Sequence, residues 1–299
     1  MRLSITHITQ YHYSLPARSS VNELRLAPEE NVRQSPGKLE ITIDPVADLS
    51  ESRDLFGNLV HYFEVEQNHE QLVIRSDTEV ETQNSHEAFL RAMAVPLREM
   101  GASLNGSDGS LHEFASDSSY VIKNPDTWRE AIDIHLSCEK TWGALIQGLS
   151  DFVFENCQYE EALLHTMLTS EDVQQGKSGT CQDFSHLLIS YCRALGLPAR
   201  YVSGYLYDPG LEADGAHTFI GSGATHAWVE VHVPGIGWVG IDPTNRRWVD
   251  ENYVSVSTGR DYHDVAPIRG SLIGGGEDRS LEVSVSVRNI ASPVRPQTA

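Results

Sequence analysis

The spacing of apolar residues divides this chain into a β-patterned start, a helical middle and a β-patterned end. Leu39, Ile41 and Ile43 alternate with Glu40, Thr42 and Asp44, and Val60, Tyr62 and Glu64 with His61, Phe63 and Val65. Val73 and Ile74 lie in a further strand-like run. Period two with β-branched enrichment predicts strands. Asp54-Leu55-Phe56-Gly57-Asn58 reads as a turn between two of them. Strands follow one another without a long helix, so residues 1–82 are expected to form an antiparallel β module.

Residues 83–123 change character and read as an irregular linker. Ala88 to Met100 carries helix formers interrupted by Pro96, and residues 101–110 are rich in Gly, Ser, Asn and Asp. From 124 onward the period becomes helical. Pro125-Asp126-Thr127 suits a helix start. Trp142, Leu145, Ile146, Leu149, Phe152 and Val153 share a face, and so do Phe184, Leu187, Leu188, Tyr191 and Leu195. Gly196 and Pro198 end the latter helix. Residues 199–207 then read as a strand. His226 to Val233 alternates, turns at Pro234-Gly235-Ile236-Gly237, and returns through Trp238 to Asp242 as a β-hairpin. Leu281 to Val287 is a closing strand. The unit following the linker is expected to span 124–290, closing strand included, with a frayed tail at 291–299. The fold class read from this order is α+β.

Lys and Arg number 22 against 42 Asp and Glu, a net charge of −20. Nucleic acid, which needs a basic footprint, is not an expected partner, and neither is an anionic membrane surface. Basic or amine-bearing partners suit the charge. No run approaches the ~18–20 apolar residues of a membrane span, and the alternating N-terminus lacks a signal-peptide h-region. Cys138, Cys157, Cys181 and Cys192 form no CxxC pair and read as reduced thiols, which fits a cytoplasmic location.

Cys181 stands where a helix begins, after Gly179-Thr180. Unpaired N–H groups and the dipole at a helix start favour an anion. Thiols in such positions commonly titrate at ~3.5–7.5 rather than about 8.5. Alternatively, Cys181 is a small core residue. The hairpin bears on that choice, because His226 opens its first strand and Asp242 closes its second. The two are expected to lie roughly opposite each other at the open end. A carboxylate that orients an imidazole, and an imidazole that takes a thiol proton, complete a nucleophilic site.

The strings Gly179-Thr180-Cys181-Gln182-Asp183-Phe184, Thr225-His226-Ala227-Trp228-Val229-Glu230 and Gly237-Trp238-Val239-Gly240-Ile241-Asp242-Pro243-Thr244 resemble the transglutaminase-like superfamily of papain-fold cysteine enzymes. The β module, with its Asp54 to Asn58 turn, is similar to the module preceding the catalytic domain in bacterial members. The resemblance implies a papain-like catalytic domain in which the nucleophile helix packs on an antiparallel sheet. It also implies acyl-transfer chemistry through a Cys181 thioester, with His226 as base and acid and Asp242 as orienting acid. The expected reaction is hydrolysis of a peptide or isopeptide bond; amine transfer and a non-catalytic binding module are the alternatives. The expected partner is a peptide or protein substrate, basic or amine-bearing.

The Cys181 backbone N–H is one expected oxyanion donor. Gln158 and Tyr159 are candidates for the second, with Tyr159 equally suited to packing and Trp142 better suited to its helix face. Gln182 and Trp228 are candidates at the substrate site, Trp228 alternatively being core, and Asp183 suits the helix dipole. His186 is expected to pack or bond internally, His217 is a remote substrate candidate, and His232 is expected at the surface. Cys, His and Asp also make a three-ligand zinc donor set, but no HExxH-like motif clusters them. No acidic loop resembles an EF-hand. No cofactor or metal is expected.

Overall fold

The computed structural model describes residues 1–84, 86–97, 111–160, 167–212, 218–276 and 279–290. The 101–110 loop, the 291–299 tail and His217 lie outside the described residues.

The N-terminal module is built around β1 (Arg2–Leu24), a 23-residue strand. Its burial alternates along Leu3, Ile5, His7 and Thr9, so one face is turned inward. Its first half pairs with β5 (His69–Thr82), which pairs with β2 (Gln34–Asp44). Its second half pairs with β4 (Leu59–Val65), which pairs with β3 (Ser50–Arg53). The turn between β3 and β4 is held by Asp54, whose Oδ1 accepts from the backbone N–H groups of Phe56 and Asn58, both at 3.0 Å.

The closing strand departs from the expected division of the chain. Both β13 (Ile268–Gly274) and β14 (Arg279–Asn289) pair antiparallel with β1, β14 along Leu3 to Tyr13. The last strands therefore complete the N-terminal sheet, and the 124–290 unit loses them. Strand β1 supplies the reason. It is long enough to carry four partners, and Val285 from β14 joins Leu3, Ile5 and Val80 in one buried cluster.

The helical half contains α1 (His86–Ala94), α2 (Pro125–Ser137), α3 (Trp142–Asn156), α4 (Ser170–Gly176) and α5 (Cys181–Ala194). Asn124 caps α2, accepting from the Thr127 N–H at 2.8 Å, and Thr141 caps α3. These helices pack on a five-stranded antiparallel sheet in the order β11 (Arg247–Trp248), β10 (Gly237–Asp242), β9 (His226–Val233), β8 (Ala199–Leu206), β12 (Tyr253–Gly259). Trp142, Leu145, Ile146 and Leu149 of α3 join Phe184, Leu187, Leu188 and Tyr191 of α5, and Ala227, Val229 and Val231 of β9, in one core.

Helix α5 is more central than its single apolar face implies: Ser185, His186, Ser190 and Arg193 are buried as well. Arg193 is tolerated because its guanidinium donates to the carbonyls of Phe114, Ser116, Ala199 and Arg260. Strand β9 likewise is buried on both faces rather than one. On its polar face Trp228 packs with Val202, Leu206 and Tyr253, His232 packs on Trp238, and Glu230 is paired with Arg200 and with Arg33 from the N-terminal module. Among the described residues no helix is long and apolar enough to cross a membrane.

Candidate active site

The chain reaches Cys181 through two short parallel strands, β6 (Gln158–Tyr159) and β7 (Ser178–Gly179). Helix α5 then starts with a capping box. The Asp183 carboxylate accepts from the Thr180 backbone N–H and from its hydroxyl, both at 2.8 Å. A side chain on Gly179 would meet the Asp183 Cβ at 2.7 Å, so the small residue before the cap is required by this close approach. Asp183 is thereby spent on the helix start. It is fully buried, whereas Gln182 beside it faces the cleft.

Cys181 lines a cleft of about 530 Å³. Tyr159, Thr180 and Gln182 share its lining with the segment from Thr218 to Thr225. That segment is held from Thr218 to Ser222 by two side chains. Asp208 accepts from the N–H groups of Thr218 (2.8 Å) and Phe219 (3.0 Å) and from the Ser222 hydroxyl (3.1 Å). Asn245 exchanges two bonds with Ile220, accepting from its N–H at 2.9 Å and donating to its carbonyl at 3.1 Å. Gly221 takes φ of +82°, and a Cβ there would stand 2.7 Å from His226 Nδ1, so the wall can close on the imidazole only at a glycine.

His226 and Asp242 lie at the open end of the hairpin. The ladder pairs Ile241 with Val229, which sets Asp242 beside Trp228 and makes the His226–Asp242 contact diagonal rather than directly opposite. His226 Nε2 donates to Asp242 Oδ2 at 2.8 Å, and both side chains are fully buried. The same oxygen accepts from Asn245 Nδ2 and from the Tyr253 hydroxyl, each at 2.8 Å. Oδ1 accepts from the Thr244 and Asn245 backbone N–H groups. Nδ1 of His226 is buried and makes no hydrogen bond among the described residues.

Burial alone would lower the His226 pKa. The charge and hydrogen bond of Asp242 override it, Cys181 adds to the effect, and His226 is pushed up to about 10. Burial would raise Asp242, but His226, Asn245 and Tyr253 hold it below its usual 3.8. Burial and the adjacent carboxylate keep the Tyr253 hydroxyl protonated, well above its ordinary range. The site is therefore set for an imidazolium paired with a carboxylate, with a thiol beside it.

The pairing carries a pH signature. His226 has a raised folded pKa, so its contribution to stability is complete below about 6.5 and is lost as pH rises toward about 10. Asp242 has a lowered one, so its contribution is present above about 3.8 and is lost as pH falls. We expect melting temperature to decline from neutral pH toward pH 10, and the decline to be shallower in His226→Gln. Parallel curves for the two proteins would contradict the ion pair.

The other sequence candidates are distributed as follows. Tyr159 is at the cleft and packs edge-on against Phe184 at 6.2 Å. Gln158 is exposed and is not part of the lining. Trp228 is fully buried beneath the site, 5.2 Å from the Tyr253 ring, in a cluster with Val202 and Leu206. Trp142 is core. His186 is buried, stacked on Tyr120, and accepts from the Tyr262 N–H. His232 is half-buried against Trp238 rather than free at the surface, because the indole lies opposite it across the hairpin. Tyr253 and Asn245, which complete the shell of Asp242, are not among the sequence candidates. Tyr253-Val254-Ser255-Val256-Ser257 does alternate, and that period was the available signal.

Comparison with known proteins gives the family and the fold. The profile described as the bacterial transglutaminase-like N-terminal region matches residues 3–81, and that of the transglutaminase-like superfamily matches 137–243. An uncharacterized protein of Mycobacterium tuberculosis is 34% identical over 295 residues, covering 96% of this chain and 92% of that one. A solved structure from Cytophaga hutchinsonii, described as a candidate cysteine protease, superposes with a TM-score of 0.74 at 19% identity, covering 99% of this chain and 93% of its own. A protein-glutamine gamma-glutamyltransferase of Pseudomonas aeruginosa is 37% identical over 68 residues, 23% of this chain and 10% of that protein. The chain belongs to the transglutaminase-like superfamily and has the N-terminal region found in bacterial members.

Proposed function

We propose that this chain is a cysteine hydrolase that cleaves a peptide or isopeptide bond through a thioester on Cys181. The observation that carries the reading is the buried His226–Asp242 pair at 2.8 Å, set against a helix-terminal cysteine that opens onto a cleft. The Cys181 thiolate attacks the carbonyl carbon. The C–N bond breaks as the His226 imidazolium gives its proton to the leaving amine. Neutral His226 then takes a proton from water, the resulting hydroxide attacks the thioester, and carboxylic acid and thiolate are released. The oxyanion is held by the Cys181 N–H and a second donor. Tyr159 at the cleft is better placed for that role than exposed Gln158.

Amine transfer uses the same residues, and the short match to a protein-glutamine gamma-glutamyltransferase keeps it as the second reading. The net charge of −20 suits a basic or amine-bearing partner for either reaction. The test incubates the protein with a peptide library in H₂¹⁸O, with and without a primary amine, and reads products by mass spectrometry. We expect new carboxylates carrying ¹⁸O. Amine adducts as the main product would make the chain a transferase, and no covalent product from either would leave a binding module.

A further inference from the structure

Strand β12 is the terminal strand of its sheet, paired with β8 on one side. Its outer edge would present unpaired N–H and C=O groups. Two side-chain amides from the N-terminal module occupy that edge. Gln34 Nε2 donates to the Ser255 carbonyl at 2.7 Å and its Oε1 accepts from the Ser255 N–H at 2.8 Å. Asn58 Nδ2 donates to the Thr258 carbonyl and its Oδ1 accepts from the Thr258 N–H, both at 2.8 Å. Each amide thus makes the two bonds that a neighbouring strand would make.

Residues three apart in a regular strand present their backbones to opposite edges. The register shift between Ser255 and Ser257 turns both Ser255 and Thr258 toward the module. The amides are 2% and 1% exposed, so these bonds are made away from water. Each amide is itself fixed, Gln34 by the Glu29 carbonyl and Asn58 by the Asp54 carboxylate. Arg33, next to Gln34, passes the Ser255 hydroxyl to reach Glu230 at 2.6 Å. The module therefore grips β12, which carries Tyr253, and β9, which carries His226.

We propose that Gln34 and Asn58 are positioning residues: through β12 they set the Tyr253 hydroxyl against Asp242, and so make the N-terminal module part of the reactive site. The proposal rests on Cys181, His226 and Asp242 acting as one unit. Tyr253 is one of three donors on Asp242 Oδ2, in a place where burial penalises the charge. A shift of β12 along its edge lengthens that bond, weakens the hold on His226, and leaves Cys181 less reactive. The effect passes through the Tyr253 hydroxyl.

The test uses the full chain and needs no substrate. Cys181 alkylation by iodoacetamide at pH 6 is followed by mass spectrometry in wild type, Gln34→Met and Asn58→Ala, each with and without Tyr253→Phe. Lys38→Gln, on the exposed edge of β2, is the control. Circular dichroism reports folding; should Asn58→Ala fail to fold, the isosteric Gln34→Met carries the test. We expect Gln34→Met, Asn58→Ala and Tyr253→Phe each to slow alkylation about tenfold. In the Tyr253→Phe background, Gln34→Met and Asn58→Ala are expected to add less than about twofold, because coupled residues are not additive. Wild-type rates in Gln34→Met, or full additivity with Tyr253→Phe, would overturn the proposal. A wild-type Cys181 no faster than glutathione would overturn the reactive-unit reading instead, and it shows without any substitution.

Discussion

Cys181→Ala is expected to lower turnover by at least about 10⁴-fold, because it removes the atom proposed to form the thioester. Folding should survive. Cys181 occupies the first position of α5, where the cap is made by Thr180 and Asp183 and not by the thiol. The variant therefore separates chemistry from structure. Steady-state assay of the hydrolysis product, beside a melting curve, checks both at once. An inactive variant with a wild-type melt supports the nucleophile, and an active variant removes it.

Asp242→Asn is expected to cost about 10²–10⁴ in turnover through a different route. The carboxylate counters the burial that would otherwise lower His226. Without it, burial dominates, and the imidazolium proposed to protonate the leaving amine is no longer favoured. The amide is also mismatched to its surroundings. Oδ2 receives three donors, from His226, Asn245 and Tyr253, and an NH₂ group in that place would face donors rather than acceptors. We expect the pH–rate profile to shift and stability to fall together. A pH–rate profile like that of wild type would mean that Asp242 does not set the charge of His226.

The three central residues were legible because each sits where a local pattern begins or ends. Cys181 follows a small residue at a helix start, and His226 and Asp242 bound a hairpin whose turn is written in Pro234 to Gly237. Their register was legible only roughly, since the position of the turn sets the diagonal and a shift of one residue changes it. Tyr253 and Asn245 were not legible as partners of Asp242. Asn245 reaches back three residues in the turn after β10, where no apolar period marks it, whereas the Tyr253 contact depends on β12 returning beside β8, a long-range pairing that no local period encodes. The last strands were hidden for the same reason. Leu281 to Val287 alternates as any strand would, and nothing in that alternation names β1 as its neighbour. Arg193 and Glu230 look like surface charges in sequence and are buried because carbonyls and guanidinium groups from distant segments surround them.

The central claim is that Cys181 is an activated nucleophile paired with His226. Its most direct measurement is the rate of Cys181 alkylation by iodoacetamide at pH 6, in wild type and in His226→Ala, against glutathione under the same conditions. The prediction is a wild-type thiol that reacts faster than glutathione, with the excess abolished in His226→Ala. A wild-type rate at or below that of glutathione, or an excess that survives in His226→Ala, would contradict it.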